Sequence, residues 1–228
     1  MATQNQNSYL QSRRSILKPT KHHFVAIELL TRAAQSHRSG NASECERLLV
    51  QADIDELHEQ FQLLMGPWHS IHRLTKLPGR DDIKKSLKSS NMLDRQREFS
   101  TEQRKVIYER DGFHCRFCEV PVIPNFVWTR IRKLYPSFRW NRAKDGWSGQ
   151  ASNSKHHFAY QALMLGNPDH VLPHCFGGRS SLENGVTACS PCNSARNGFL
   201  LEELSLLDPR IFPPKHNEWD GLSNEFRV

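Results

Sequence analysis

The chain has 228 residues, a formal net charge of +7 at pH 7 and 37% hydrophobic residues. Its mean hydropathy of -0.65 and the lack of a long apolar run exclude a membrane-spanning helix, and no signal-peptide core opens the sequence. We therefore expect a cytoplasmic protein in which the cysteines stay reduced or bind metal. The basic charge favours an anionic partner, most often nucleic acid, but identifies no function by itself.

The first part of the chain is predicted to be helical. Residues 1–22 are polar and basic and indicate a flexible arm, either solvated or in contact with phosphates. Residues 24–36 carry apolar side chains at helical spacing, and a longer helix is predicted from Ser43 to Met65, before a Gly-Pro pair. The two helices are expected to pack as a hairpin in an N-terminal region, residues 23–95, that offers a surface for a protein partner or for self-association.

A second domain is predicted to span residues 96–210, followed by an irregular tail that covers the surface at 211–228. The connecting stretch, residues 68–98, has the mixed composition of a linker with a short helix. Ser100 and Gln103 then fit a capping box that opens a well-defined helix.

Four of the six cysteines form two Cys-x-x-Cys pairs that lie far apart in the sequence. Cys115 and Cys118 follow the capped helix, whereas Cys189 and Cys192 lie at the predicted start of another helix. Zinc binds four thiolates tetrahedrally in closed structural sites, and each pair presents two sulfurs to one ion through a tight turn. The spacing predicts one structural zinc site that resembles a treble-clef knuckle.

Residues 119–168 separate the two cysteine pairs and form an insert rich in basic and aromatic side chains. Helices are predicted at 125–135 and around 155–165. Basic residues neutralise phosphates and aromatic rings stack on bases, so the insert is a candidate nucleic-acid surface. Its candidate contacts in the first helix are Arg130, Arg132 and Lys133. The alternative, given equal weight, is a small aromatic core with a solvated basic face.

Residues 169–198, DHVLPHCFGGRSSLENGVTACSPCNSARNG, hold the densest set of chemically capable side chains. The apolar pair at 171–172 favours a strand, the double glycine at 177–178 favours a hairpin turn, and residues 185–188 favour a second strand. A helix is predicted to begin near Asn193. The spacing of four later residues predicts a further helix: Leu200, Leu201, Leu204 and Leu207.

The segments RDGFHCRFC, DHVLPHCFGG, SLEN and CSPCNSARNG occur in an order that resembles the HNH endonuclease family, whose core is the ββα-metal motif. The resemblance covers about residues 100–205, interrupted by the insert. It implies an α+β fold, mainly helical, with an HNH core and zinc knuckles. The implied function is metal-dependent hydrolysis of phosphodiester bonds in double-stranded DNA, as in a restriction or anti-phage defence effector. Asn193 replaces the last histidine of the family name, which makes this an H-N-N variant.

The resemblance also implies roles for individual residues. His170 is the expected general base, because a largely neutral imidazole can take a proton from water. Asp169 and Asn193 are the expected ligands of a catalytic ion, and a carboxylate with an amide oxygen favours Mg²⁺ or Mn²⁺. Asn184 is expected to tie the hairpin together through hydrogen bonds to the backbone.

Three further residues are candidates for phosphate contacts: His174, Arg179 and Arg196. His174 is expected at the far end of the strand, on the face of His170, with an exposed loop histidine as the alternative. Arg196 lies about one helical turn after Asn193. Two other functions stay open, namely a nuclease acting on RNA or on junctions, and a zinc-stabilised nucleic-acid-binding module that does not cleave.

Overall fold

The computed structural model describes residues 15, 19–57, 59–60, 79–89, 93–136 and 164–226. They form an α+β fold in which helices surround a small three-stranded sheet. The helices are α1 (Lys21–Arg38), α2 (Ala42–Gln51), α3 (Arg80–Ser89), α4 (Thr101–Arg110), α5 (Asn125–Leu134) and α6 (Ser190–Arg196). The strands are β1 (Ile123–Pro124), β2 (Leu165–His170) and β3 (Gly185–Cys189). Within these ranges, no helix has the length and apolar character needed to cross a membrane.

The first two helices pack against each other as the predicted hairpin, but their bounds differ from the prediction. α1 begins at Lys21, inside the predicted arm. α2 begins after Asn41, whose side chain accepts a hydrogen bond from the Glu44 backbone at 3.1 Å, and ends at Gln51. The continuous helix predicted up to residue 65 is wrong, because residues 52–54 are not helical. Asp53 lies in this break, and aspartate favours caps and turns over helix interiors.

A single apolar core joins α1 and α2 to the later parts of the chain. Leu30 and Leu49 share it with Trp128 of α5, so this tryptophan of the insert belongs to the core. Leu222 and Phe226 are also buried there. The C-terminal segment is irregular, as predicted, but the prediction that it only covers the surface is wrong for these two residues.

A histidine in the first turn of α1, His23, is buried. Burial, with a smaller contribution from His22, lowers the pKa of His23 to about 4. The folded-state pKa lies below the ordinary value of 6.5, so folding favours the neutral ring. The stability that His23 contributes is therefore present above pH 6.5 and is lost as the pH falls from 6.5 towards 4.

Replacing His23 by glutamine is expected to remove this pH dependence, which amounts to at most roughly 3 kcal/mol in the free energy of unfolding. Urea unfolding from about pH 7 down to about pH 4.5 measures it. His216→Gln, at an exposed histidine, is the control and should follow the parent protein. If the free energy of unfolding depended on pH in the same way in His23→Gln and in the parent, folding would not disfavour protonation of His23.

The sheet places the residues of the candidate site. β2 lies in the middle, parallel to β1 and antiparallel to β3, and its register pairs Asp169 with Val186 and His170 with Gly185. The second strand occurs where it was predicted, whereas the first lies upstream of residues 171–172. Strand pairing ends at His170, the last residue of β2. Beyond it, the backbone amides of the next two residues donate hydrogen bonds to the backbone carbonyl and the side-chain oxygen of Asn184.

The connection between β2 and β3 is a loop of residues 171–184 and not the tight turn that the double glycine suggested. Gly177, with φ of +85°, ends a 3-10 turn at His174–Phe176. At Gly178 a Cβ atom would lie 1.8 Å from the Leu172 carbonyl oxygen, so only glycine fits this close backbone approach. The two glycines shape the loop without making it a hairpin turn.

Two helix predictions near the site have opposite outcomes. α4 opens with the predicted capping box, in which Ser100 and Gln103 bond each other's backbone. The helix predicted after Gly198 is wrong, because only a 3-10 turn at Glu202–Leu204 forms there. α6 ends at Arg196 and the left-handed Asn197, and the apolar residues beyond it pack as a small cluster instead of a helical face.

α3 confirms the short helix predicted in the connecting stretch. Its first residue, Arg80, is buried and pairs with Glu203 at 2.8 Å. The same guanidinium lies 4.5 Å from the ring centre of Phe199 and donates to the Gly198 carbonyl at 2.5 Å. α3 therefore packs on the segment that follows α6, although the two are far apart in sequence.

Candidate functional site

Four cysteines, Cys115, Cys118, Cys189 and Cys192, form a compact group that we call the four-cysteine group. All of their sulfur atoms lie within 4.8 Å of one another, and the sulfurs of Cys118 and Cys189 are 3.7 Å apart. Sulfurs bound tetrahedrally to one zinc at about 2.3 Å are about 3.8 Å apart. The group can therefore hold a metal ion such as zinc.

Backbone hydrogen bonds fix both halves of this group. The first pair lies in a turn in which Cys115 receives a bond from the Glu119 amide at 2.8 Å. The Arg116 amide donates to the Thr187 carbonyl at 2.8 Å, which attaches this turn to β3. Cys189 ends β3 and Cys192 lies in the first turn of α6. A bound ion would thus join the turn after α4 to the junction of strand and helix.

The charge state of the sulfurs also favours a cation. Hydrogen bonding to Cys115, with burial, raises the pKa of Cys189 and of Cys192 well above the usual value of 9.0. Four thiolates this close together, three of them buried, are therefore unfavourable without a positive charge among them. A divalent ion supplies that charge, and binding it would release protons.

Beside the four-cysteine group, at the end of β2, lies a cavity of about 700 Å³. It brings together Asp169, His170 and Asn193, the three residues predicted to carry the chemistry. Part of its lining comes from residues 93–99, a segment that we call the strap. The sequence suggested only a linker there.

His170 is held on two sides within this cavity. Its Nε2 atom lies 3.0 Å from the Ser180 hydroxyl, and its ring centre lies 4.4 Å from that of Phe99. Burial, followed by the effect of His174, lowers the pKa of His170 to about 4. The imidazole is neutral at pH 7 and carries a lone pair that can accept a proton.

Asn184 makes three hydrogen bonds to backbone atoms of the loop. Its amide oxygen accepts from the Leu172 amide at 2.8 Å, and its amide nitrogen donates to the carbonyls of Leu172 and Arg179, each at 3.0 Å. The side chain therefore closes the loop between β2 and β3 just beyond His170.

Arg196 is one of the residues around the cavity, but its charge is already paired within the protein. Its side chain is 2% exposed, and its Nε atom forms an ion pair with Asp169 Oδ2 at 2.7 Å. The guanidinium also donates to the carbonyl oxygens of His170 and of Val171. Burial raises the pKa of Asp169, and Arg196 acts in the opposite direction by favouring the carboxylate. The charge of Arg196 thus serves the Asp169 carboxylate and two backbone carbonyls, and a nucleic-acid contact there stays a prediction.

Replacing Arg196 by methionine is expected to destabilise the fold by about 3–5 kcal/mol, because it leaves a buried carboxylate without its partner. The Arg210→Met variant is a matched control, since Arg210 pairs with Asp208 where both side chains are partly exposed, at 47% and 30%. That pair should contribute no more than about 1 kcal/mol. Urea unfolding of both variants measures the difference, and equal shifts would contradict a special role for the buried pair.

The other predicted contacts differ in position. His174 is not on a strand but opens the 3-10 turn, and its Nε2 donates to the Asp94 carbonyl of the strap at 2.8 Å. Arg179 is exposed in the loop, and a phosphate contact there stays a prediction. The three basic residues of α5 are not among the described residues that line the cavity: Arg130, Arg132 and Lys133. The aromatic side chains of the insert beyond position 136, which were predicted to stack on bases, lie outside the described residues.

The cavity also contains side chains that the sequence analysis did not single out. Arg97 and Glu98 of the strap line it, together with Arg104 of α4 and Asn167 of β2. Asn167 donates to the Ser190 hydroxyl at 3.0 Å, which links β2 to the start of α6. The strap has neither a periodic pattern nor a motif, so no sequence signal pointed to it. Asn167 and Arg104 lie on a strand and a helix, and only the packing of these elements shows which of their side chains face the cavity.

In comparisons with known proteins, no protein-family model, no curated protein and no solved structure matches this chain. The functional assignment therefore depends on the residues and contacts of this chain.

Proposed function

We propose that this chain is a metal-dependent endonuclease with an HNH-type ββα-metal core, and that it hydrolyses phosphodiester bonds of DNA. The observation that carries the proposal is the position of Asp169, His170 and Asn193 around one cavity beside the four-cysteine group. β2, β3 and α6 follow one another as the motif requires. The net charge of +7 suits a polyanionic substrate.

His170 would act as the base in this reaction. Its neutral ring can take the proton from an attacking water, and Phe99 and Ser180 restrict how the ring can turn. Asn184 keeps the loop after His170 closed, which fixes the backbone that carries the base. Arg97 lines the same cavity and supplies positive charge for a phosphodiester, whereas Arg104 is paired with Glu98 at 2.8 Å.

Asp169 and Asn193 would hold the catalytic cation. Asp169 Oδ2 is buried and pairs with Arg196 Nε at 2.7 Å, and the two oxygens of the carboxylate carry further lone pairs that can bind an ion. A carboxylate with an amide oxygen fits Mg²⁺ or Mn²⁺, which would polarise the phosphate and stabilise the leaving oxygen. Arg196 neutralises part of the carboxylate charge, and we expect it to weaken the affinity for the ion.

The four-cysteine group would hold a structural zinc ion. Its four sulfurs form a closed set of ligands and leave no position for a substrate. The ion would fix the junction between β3 and α6, and with it Asn193, against the turn that follows α4.

The test is an incubation of zinc-loaded protein with supercoiled plasmid, linear duplex, single-stranded DNA and RNA. Each substrate receives Mg²⁺, Mn²⁺, Ca²⁺ or no added ion. Withholding the ion is preferable to a strong chelator, which would also remove zinc. We expect cleavage of DNA with Mg²⁺ or Mn²⁺ only. His170→Ala protein purified in the same way is the control, because a contaminating nuclease would not respond to this substitution.

One observation favours the alternative of a nucleic-acid-binding module without cleavage. Asp169 is already paired with Arg196, as expected for a carboxylate with a structural role. Binding of duplex DNA without cleavage under any of the ions would support this alternative and contradict the nuclease. Faster cleavage of RNA than of DNA would instead change the substrate class.

A further inference from the structure

The strap reaches the candidate base through its backbone carbonyl groups. The Gln96 carbonyl accepts a hydrogen bond from the Ser180 hydroxyl at 2.9 Å, and Ser180 Oγ lies 3.0 Å from His170 Nε2. These three groups form a chain from the strap to the imidazole. Ser180 occupies its centre, although neither the predicted motif nor the sequence pattern assigns it a role.

Ser180 is fixed in place by its surroundings. It is 7% exposed, and its own carbonyl accepts a hydrogen bond from the Gln103 side chain at 2.7 Å. Gln103 is itself held by the capping box of α4. The hydroxyl therefore has little freedom to find other partners.

The donor and the acceptor in each hydrogen bond of Ser180 follow from the number of hydrogens that its hydroxyl carries. A serine hydroxyl has one hydrogen, and a carbonyl oxygen can only accept. The hydrogen of Ser180 is thus donated to Gln96, so that Ser180 Oγ meets His170 with a lone pair. His170 Nε2 must then be the donor. In a neutral imidazole the other nitrogen, Nδ1, is left without hydrogen and is the atom that can accept a proton.

We propose that Ser180 is a positioning residue that sets the tautomer of His170, with hydrogen on Nε2 and the basic lone pair on Nδ1. The catalytic consequence of this inference rests on the proposed nuclease function, whereas the tautomer itself does not. The orienting group of a catalytic histidine is often a carboxylate, which also stabilises the imidazolium. A hydroxyl that is already bonded to a carbonyl orients the ring but adds no negative charge.

The decisive measurement is the nitrogen NMR spectrum of His170 in zinc-loaded protein labelled with ¹⁵N-histidine, with His170→Gln used to assign its signals. The parent protein should show a protonated Nε2 and an unprotonated Nδ1. Ser180→Ala should give a mixture of both tautomers, and Ser180→Thr, which keeps the hydroxyl, should restore the parent spectrum. Ser181→Ala removes a neighbouring hydroxyl outside the chain of bonds and should leave the spectrum unchanged.

In cleavage assays, Ser180→Ala should lower kcat about tenfold to a hundredfold, the range known for groups that orient metal-binding histidines. KM should change little, and Ser180→Thr should recover most of the rate. A parent spectrum with hydrogen on Nδ1, or an unchanged tautomer in Ser180→Ala, would overturn the inference even if the protein cleaves DNA. The expected spectra in a protein that cleaves nothing would uphold the tautomer and refute the nuclease.

Discussion

His170→Ala is expected to slow Mg²⁺-dependent cleavage by about 10²–10⁴-fold, the usual contribution of a general base. The variant removes the ring that accepts the proton from water and leaves Asp169 and Asn193 in the cavity. Binding of DNA should therefore change little, and the loss should appear in kcat. Initial rates on supercoiled plasmid at saturating Mg²⁺ measure it, with DNA affinity determined separately without added Mg²⁺.

Two comparisons separate loss of the base from loss of the fold. The alanine variant leaves a space continuous with the cavity of about 700 Å³, which can admit free imidazole. Added imidazole should then restore part of the rate in His170→Ala and have no effect on the parent. His216→Ala, at an exposed histidine, should cleave at the parent rate. Undiminished cutting by His170→Ala would eliminate this residue as the base.

Cys118→Ser is expected to lose the bound zinc and to unfold the domain around the sheet. Structural zinc sites contribute about 10–16 kcal/mol of apparent binding free energy at pH 7, which is as large as the whole stability of a typical domain. The variant replaces one of the four sulfur ligands by a hydroxyl and leaves only three thiolates for the ion. Metal analysis of the purified protein and its circular dichroism spectrum measure both effects.

Cys175→Ser is the matched control for this experiment. Cys175 is free, partly exposed and outside the four-cysteine group, and its sulfur makes a long contact of 3.8 Å with the Gly198 carbonyl. The variant should retain one zinc per chain and the parent fold. A zinc-free Cys118→Ser protein that remains folded would show that the cysteines are not a structural metal site.

The sequence predicted best those features that local chemistry determines. The two cysteine pairs could be assigned to one site because a Cys-x-x-Cys turn already presents two sulfurs to an ion. The capping box of α4 follows from Ser100 and Gln103 alone. β3 was predicted at nearly its true bounds, since Val186 and Thr187 are β-formers that follow turn residues.

The features that the sequence analysis missed depend on tertiary contacts. β2 contains a glycine and a proline and has low strand propensity, yet pairing along β3 makes it a strand. Arg196 was assigned to phosphate because a basic residue beside a predicted site suggests such a contact, whereas burial directs it to Asp169. The strap contributes backbone carbonyl groups to the site. Because every residue has such a group, its role cannot be recognised from the sequence of the strap.

The parallel pairing of β1 with β2 determines how much the length of the insert can vary. Ile123 lies beside Leu165 and Pro124 beside Gly166, so the chain leaves the sheet and returns to it on adjacent strands. Neighbouring strands are about 4.8 Å apart, and the entropy of loop closure adds only about 0.6 kcal/mol for each doubling in the length of a connection. A reporter domain spliced between positions 137 and 163 should therefore leave the geometry around His170 unaltered.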